Sequence, residues 1–393
     1  MRVHHVQKKE MSSSKLFKRT VGGVGTEFLE CWSTLGALRD PRFLVFFPGN
    51  PGAIEFYRFF LGRLAEKSGV RVVGVGLAGH TRSELNGGRF FTLQDQVEHK
   101  VAAVKSLLED KEASLAAAAA PAAGAQRRAL QAPRVLLCGH SIGAWIGLRA
   151  LDVLMREREA AGAGGGGGGG DSPFCGFLGL TPTVELLGNQ AKPGVPWLVA
   201  WPLRPLLALL LGAFGAVASQ PWREWLMRAG GGATDETAAV AADAGRYAFY
   251  QNYLGLAQDE FRTLLRFTEA VPGAPCTAWE GTPASAPQLQ LGGFLRALAA
   301  MPTATTASGG GGGALRMIFV HQDEWVPLDY VARLQLWLDH RPDGAGAGAR
   351  CCRVMEDKRV PHGFVGERGD AEAMAREAAA DMVALGFADA DAE

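Results

Sequence analysis

The chain has 393 residues, 48% hydrophobic and 20% charged, which suits a globular protein with a sizeable buried core. Its 40 basic and 40 acidic residues cancel, so no global charge draws it to nucleic acid. The six cysteines show no C-x-x-C spacing, which argues against a paired-cysteine metal site and for reduced thiols in a cytosol-facing protein.

Residues 1–36 read as an N-terminal extension, partly disordered. Arg2, Lys8, Lys9, Lys15, Lys18 and Arg19 stand against Glu10, and no apolar run follows of the kind a secretory signal needs. A solvated, frayed tail is expected there. Strand-like runs then appear at 42–47 (RFLVFF), 70–77 (VRVVGVGL), 134–139 (RVLLCG), 174–180 (FCGFLGL), 315–320 (LRMIFV) and 351–356 (CCRVME). Most are apolar on both faces, as in a parallel sheet covered by helices.

Helical patterns lie between them. Leu93, Val97, Val101, Val104 and Leu108 form one apolar stripe, and Thr92-x-x-Asp95 resembles a capping box at its start. Segments 143–158, 328–340 and 370–386 are further helix candidates. Strands alternating with helices imply an α/β fold with crossover connections. Low-complexity stretches at 113–129, 160–171, 303–314 and 341–349 read as linkers that lengthen surface loops. Segment 183–302 carries no strand pattern and interrupts the alternation as an inserted helical cap. The expected organisation is a core in two parts, 37–182 and 315–393, separated by this cap and a Gly-rich linker at 303–314.

At 135–146 (VLLCGHSIGAWI) a serine sits between two glycines where a buried strand gives way to a helix. That is the strand–turn–helix pattern of a nucleophile elbow, in which Ser141 projects above the sheet and the glycines make the bend sterically possible. The N–H of Ile142, at the helix start, would face the reacting atom as one oxyanion donor. A second donor is expected from the turn in "FFPGNPGAIEFY" (46–57). Pro48 and Pro51 lack an N–H, so Gly49, Asn50 and Gly52 remain, and the Asn50 backbone is favoured.

A serine hydroxyl needs a histidine to take its proton and a carboxylate to orient that histidine, in the chain order Ser, acid, His. Of the eight histidines, His4 and His5 lie in the tail, and His99 and His340 read as surface helix residues. His140 adjoins the serine but should point away through the bend. His80 precedes the serine and should line the mouth, while His321 ends a strand. His362 follows the last strand by a short loop, where the base must hang. Asp323 follows the strand at 315–320, just before a helix expected near Pro327. It is preferred to Glu324 and to Asp329, which falls inside that helix.

The motifs "FFPGNPGAIEFYRFF", "GHSIGAW", "TPTVELLGN", "NYLGLAQDE", "DEWVP" and "PHGF", in this order across about residues 40–370, resemble the lipid droplet-associated hydrolase family. The resemblance implies an α/β-hydrolase fold and a serine hydrolase with Ser141, Asp323 and His362 as nucleophile, acid and base. It further implies residence on lipid droplets and the cytosolic face of the endoplasmic reticulum membrane. The implied substrates are neutral lipid esters such as sterol esters or acylglycerols. The alanine and glycine insertions and the long N-terminus depart from the family pattern and leave loop lengths open.

Segment 195–225 gives an independent reason to expect a lipid surface. Its apolar run from Leu206 to Val217 would span only about 18 Å as a helix, short for a bilayer core of about 30 Å. Trp197, Trp201, Trp222 and Trp225 flank it as interfacial anchors would. The expectation is an ester hydrolase working through an acyl-enzyme, with no metal or organic cofactor and no nucleic-acid partner. The alternatives are a lipid acyltransferase using the same residues and a droplet-binding scaffold with little turnover.

Overall fold

A computed structural model describes residues 13–81, 86–119, 132–161, 172–183, 199–200, 202–231, 235–264, 304–305, 311–312, 315–339 and 351–389. Eight strands form one sheet: β1 (Ser13–Val21), β2 (Val24–Trp32), β3 (Arg42–Phe47), β4 (Arg71–Val75), β5 (Arg134–His140), β6 (Phe174–Leu180), β7 (Leu315–Phe319) and β8 (Cys352–Val354). Their order is β1-β2-β4-β3-β5-β6-β7-β8, and all neighbours are parallel except β1/β2 and β2/β4. This is the α/β architecture expected from the strand–helix alternation.

The period of two in the strands decides which helices cover which face. Phe43, Val45 and Phe47 of β3, with Val135 and Leu137 of β5, pack on one side. There they meet α3 (Leu93–Ala119), α4 (Ile142–Ala160) and α9 (Leu328–Asp339). Leu44, Phe46, Leu136 and Cys138 turn to the other side and meet α2 (Arg58–Ser68) and α10 (Arg368–Ala384). Central strands buried on both faces need apolar residues at every position, which is why they read as continuous hydrophobic runs.

The N-terminal reading needs correction. Residues 1–12 lie outside the described residues, but Lys15, Lys18 and Arg19 belong to β1, paired along its length with β2. Gly22 and Gly23, at φ 57° and 79°, make the two-residue hairpin turn, a conformation glycine adopts without steric cost. Phe17 stacks on Phe28 at 5.2 Å, and Lys15 and Lys18 are exposed on the sheet edge, where charge discourages a second chain from pairing.

The linker reading of 113–129 fails in its first part. Helix α3 continues through the alanine-rich residues to Ala119, because alanine is the strongest helix former. At its other end the box is made: Asp95 N–H donates to Thr92 Oγ1 at 3.1 Å and Thr92 N–H to Asp95 Oδ2 at 2.8 Å. His99 is not a surface residue. It is buried, 2.7 Å from Thr26 Oγ1 and 3.0 Å from Lys100 Nζ, and burial with the Lys100 charge holds its imidazole well below its ordinary value.

Between β6 and β7 the described residues form α5 (Leu203–Val217), α6 (Gln220–Gly231), α7 (Asp235–Ala244) and α8 (Tyr247–Thr263), and the two-residue strands Ala304–Thr305 and Gly311–Gly312 pair antiparallel within the stretch read as a Gly-rich linker. The short helix α1 (Leu35–Arg39) lies earlier, between β2 and β3. Ala208, Ala244, Phe249, Tyr250 and Leu254 close a cluster of their own over Ala53 and Phe56. Asn252 ties α8 to the core loop by accepting from Phe91 N–H at 2.9 Å and donating to Arg89 O at 2.9 Å. Trp197, Trp201, His4, His5 and His340 lie outside the described residues, as do 162–171 and 341–349.

Candidate active site

The loops after β5, β7 and β8 leave the same edge of the sheet, the carboxyl ends of parallel strands where α/β folds hold ligands. The first carries Ser141 directly into α4. Its backbone sits at φ 51°, ψ −126°, a strained conformation for a residue with a β-carbon. The flanking glycines show why the bend is possible. A β-carbon on Gly139 would lie 2.4 Å from Gly143 O, and one on Gly143 would lie 2.4 Å from both Phe47 O and Pro48 O. Ser141 N–H donates to Leu180 O at 3.1 Å, and Thr183 N–H donates to Ser141 O at 3.2 Å, so both halves of the strained peptide are held.

Ser141 Oγ lies 2.9 Å from His362 Nε2. On the other side of the ring, His362 Nδ1 is 2.9 Å from Asp323 Oδ2 and 3.0 Å from Oδ1. Asp323 is fixed in turn, because Oδ1 accepts the backbone N–H groups of Trp325 and Val326, each at 2.9 Å. A parallel bridge between Gln322 and Pro361 aligns the two loops that carry acid and base. The Asp323 side chain is 2% exposed and that of His362 12%, so the imidazole alone faces the opening. With Nδ1–H given to the carboxylate, Nε2 is left as the acceptor for the serine proton.

The turn after β3 lies against this group: a β-carbon on Gly49 would be 2.9 Å from Ser141 Cβ. Gly49 N–H donates to Tyr57 Oη at 2.9 Å, which removes it from the candidate donors. With Pro51 lacking an N–H, Asn50 is the next donor along the turn. Its side chain is anchored separately, Nδ2 donating to Tyr253 O at 3.2 Å and to Glu260 Oε1 at 3.1 Å in α8. Ile142 opens α4, so its N–H belongs to the first turn and has no helical carbonyl behind it.

The sequence reading did not assign four neighbours of the site. Thr183 Oγ1 stands 3.1 Å from Ser141 Oγ. Burial pushes the Glu260 carboxyl up to about 8, with Asn50 pulling it down and Asp259 adding to the rise. Tyr57 and His140 are buried behind the elbow and bonded to each other at 2.7 Å. "TPT" and "AIEFY" occur in the motifs already quoted, yet nothing in their spacing says what they touch. His80 is buried beside the mouth, its Nδ1 on Pro51 O and its ring 5.9 Å from that of Phe249, and burial pushes it down to about 4. Among the described residues no cluster of three or more His, Cys, Asp or Glu is arranged to hold a metal ion.

Solved structures with this architecture are α/β-hydrolases. A haloalkane dehalogenase DbeA loop variant from Bradyrhizobium elkanii is 13% identical at a TM-score of 0.54, covering 95% of this chain and 98% of its own. The DBJA delta mutant is 12% identical at a TM-score of 0.54, covering 95% and 99%. At these identities the likeness establishes the α/β-hydrolase fold. The family is given by the sequence itself: a family description of lipid-droplet associated hydrolase matches residues 40–365, and the chain therefore belongs to the lipid-droplet associated hydrolase family.

Proposed function

We propose that this hydrolase cleaves carboxylic esters of neutral lipids, sterol esters or acylglycerols, through a serine acyl-enzyme. One observation carries the reading: Ser141 Oγ, His362 Nε2, His362 Nδ1 and Asp323 form a continuous hydrogen-bonded path with contacts of 2.9 Å. Ser141 attacks the ester carbonyl as His362 takes its proton, and Asp323 stabilises the imidazolium and fixes its orientation. The Asn50 and Ile142 N–H groups receive the oxyanion. His362 then protonates the departing alcohol. Water, activated by the same imidazole, attacks the acyl carbonyl, releases the fatty acid and restores Ser141.

The proposed place of work is the surface of a lipid droplet or the cytosolic face of the endoplasmic reticulum. No helix among the described residues is long and apolar enough to cross a membrane. Helix α5 nevertheless leaves Leu206, Leu209 and Leu210 more than half exposed, and α6 does the same with Trp222 and Trp225. An apolar helix face rimmed by tryptophans suits an interface rather than a span.

The test is covalent labelling by a fluorophosphonate, followed by lipid analysis of emulsions incubated with the protein. Wild type should label and release fatty acid, and Ser141→Ala should do neither. Equal labelling of both proteins would overturn the assignment of the nucleophile. Labelling without release of fatty acid from sterol esters or acylglycerols would overturn the substrate class.

A further inference from the structure

A second path of hydrogen bonds joins the turn after β3, the elbow and the loop that carries His362. Gly49 N–H donates to Tyr57 Oη at 2.9 Å. Tyr57 Oη lies 2.7 Å from His140 Nδ1, and His140 Nε2 lies 3.0 Å from the backbone oxygen of His362. Each junction has a single consistent direction. The His362 carbonyl can only accept, so the single proton of the neutral His140 imidazole sits on Nε2 and is donated to His362 O. His140 Nδ1 is then unprotonated and accepts the Tyr57 hydroxyl proton, while the Tyr57 oxygen accepts from Gly49 N–H.

We infer that Tyr57 and His140 are positioning residues: they lock the donor turn after β3 and the backbone of His362 to the nucleophile elbow, so that base and oxyanion donors keep their places relative to Ser141.

Packing supports this role. Tyr57 is 3% exposed and His140 5%. The His140 ring meets Phe364 edge-on at 4.9 Å, tilts against His362 at 5.3 Å and contacts the Tyr57 ring at 5.6 Å. Thr181 Oγ1 donates to the same His362 oxygen at 3.4 Å. Burial, with the neighbouring His362 charge, pushes His140 down to about 3, and burial pushes the Tyr57 phenol well up, so neither group changes charge near neutral pH. The path thus has one proton arrangement throughout the working range. It holds only the His362 backbone and leaves the ring to Ser141 and Asp323.

This inference rests on Ser141 being the nucleophile, and labelling rates separate the two. Tyr57→Phe removes one oxygen and leaves the ring. His140→Leu removes both nitrogens, and His140→Gln keeps a donor that can reach the His362 carbonyl. Displacements near 1 Å at such sites cost on the order of 100-fold in rate. Tyr57→Phe and His140→Leu should therefore label about 10- to 100-fold more slowly than wild type. On an ester substrate the loss should fall on kcat with KM little changed.

His140→Gln should recover part of the rate at a thermal midpoint matching that of His140→Leu, which a purely structural role would not produce. The Tyr57→Phe/His140→Leu double variant should be no slower than the slower single, because both cut one path. If wild type itself fails to label, the nucleophile assignment falls. If wild type labels and the folded single variants match its rate, or their losses simply track thermal stability, the positioning role falls.

Discussion

The elbow concentrates several constraints on a few residues. Ser141 holds a backbone conformation that costs on the order of 1–3 kcal/mol, and the structure keeps it there by bonding the peptide on both sides. Both flanking glycines are closed in by backbone, and an added β-carbon on Gly143 would meet two backbone oxygens, Phe47 O and Pro48 O, that cannot rotate away. Gly143→Ala should lower stability by roughly 1–3 kcal/mol in urea unfolding and abolish fluorophosphonate labelling. A variant as stable and as reactive as wild type would show that the elbow tolerates a methyl group. Residues such as Ser141, Asp323 and His362 were legible in the sequence because strand ends and chain order restrict where they can stand. Tyr57 and His140 were not. Their contact spans 83 positions and depends on the inner side of a turn, which leaves no mark in local spacing.

Among the elements, helix α8 governs how the cap meets the donor turn, and it does so with a buried acid. Glu260 accepts from Asn50 and is held up to about 8 chiefly by burial. From its unfolded value near 4.5 to about 8, the folded protein keeps a proton that the unfolded chain releases. Stability contributed by this group is thus full at low pH and is lost as pH rises through that window. Glu260→Gln retains an acceptor for Asn50 and cannot ionise. Its thermal midpoint relative to wild type should rise steadily from pH 5 to pH 8, by an amount on the order of a few kcal/mol in stability. A constant difference across that range would mean Glu260 is ionised in the fold. The central strands were readable as short continuous apolar runs and the amphipathic helices from their period. The β1–β2 hairpin was masked by its basic edge, although the Gly22–Gly23 pair was a usable turn signal, and the tail of α3 was masked by low complexity.

At the scale of the molecule, the proposed substrate raises the question of how the α/β core would reach an ester held in a lipid phase. The cap supplies the contrast needed. On α5, Ala208 and Gly212 face inward, and a β-carbon on Gly212 would lie 2.7 Å from Tyr247, so the helix is pressed onto α8 along that side. Leu206, Leu209 and Leu210 stand on the opposite side, more than half exposed, and Trp222 and Trp225 of α6 pair edge-on at 5.6 Å with both rings exposed. Sequence periodicity alone could not distinguish this outward stripe from a core-facing one, because the run is apolar all round. Burying the exposed half of a leucine yields about 1 kcal/mol, so changing the three leucines to serine should weaken binding to phospholipid-coated oil by roughly 100-fold. Flotation with such emulsions measures the partition, and fluorophosphonate labelling in solution checks that the site is intact. The triple variant should stay in the aqueous layer while labelling at the wild-type rate. Unchanged flotation of a normally labelled variant would remove α5 from the interface and leave the adjoining α6 tryptophans to account for docking.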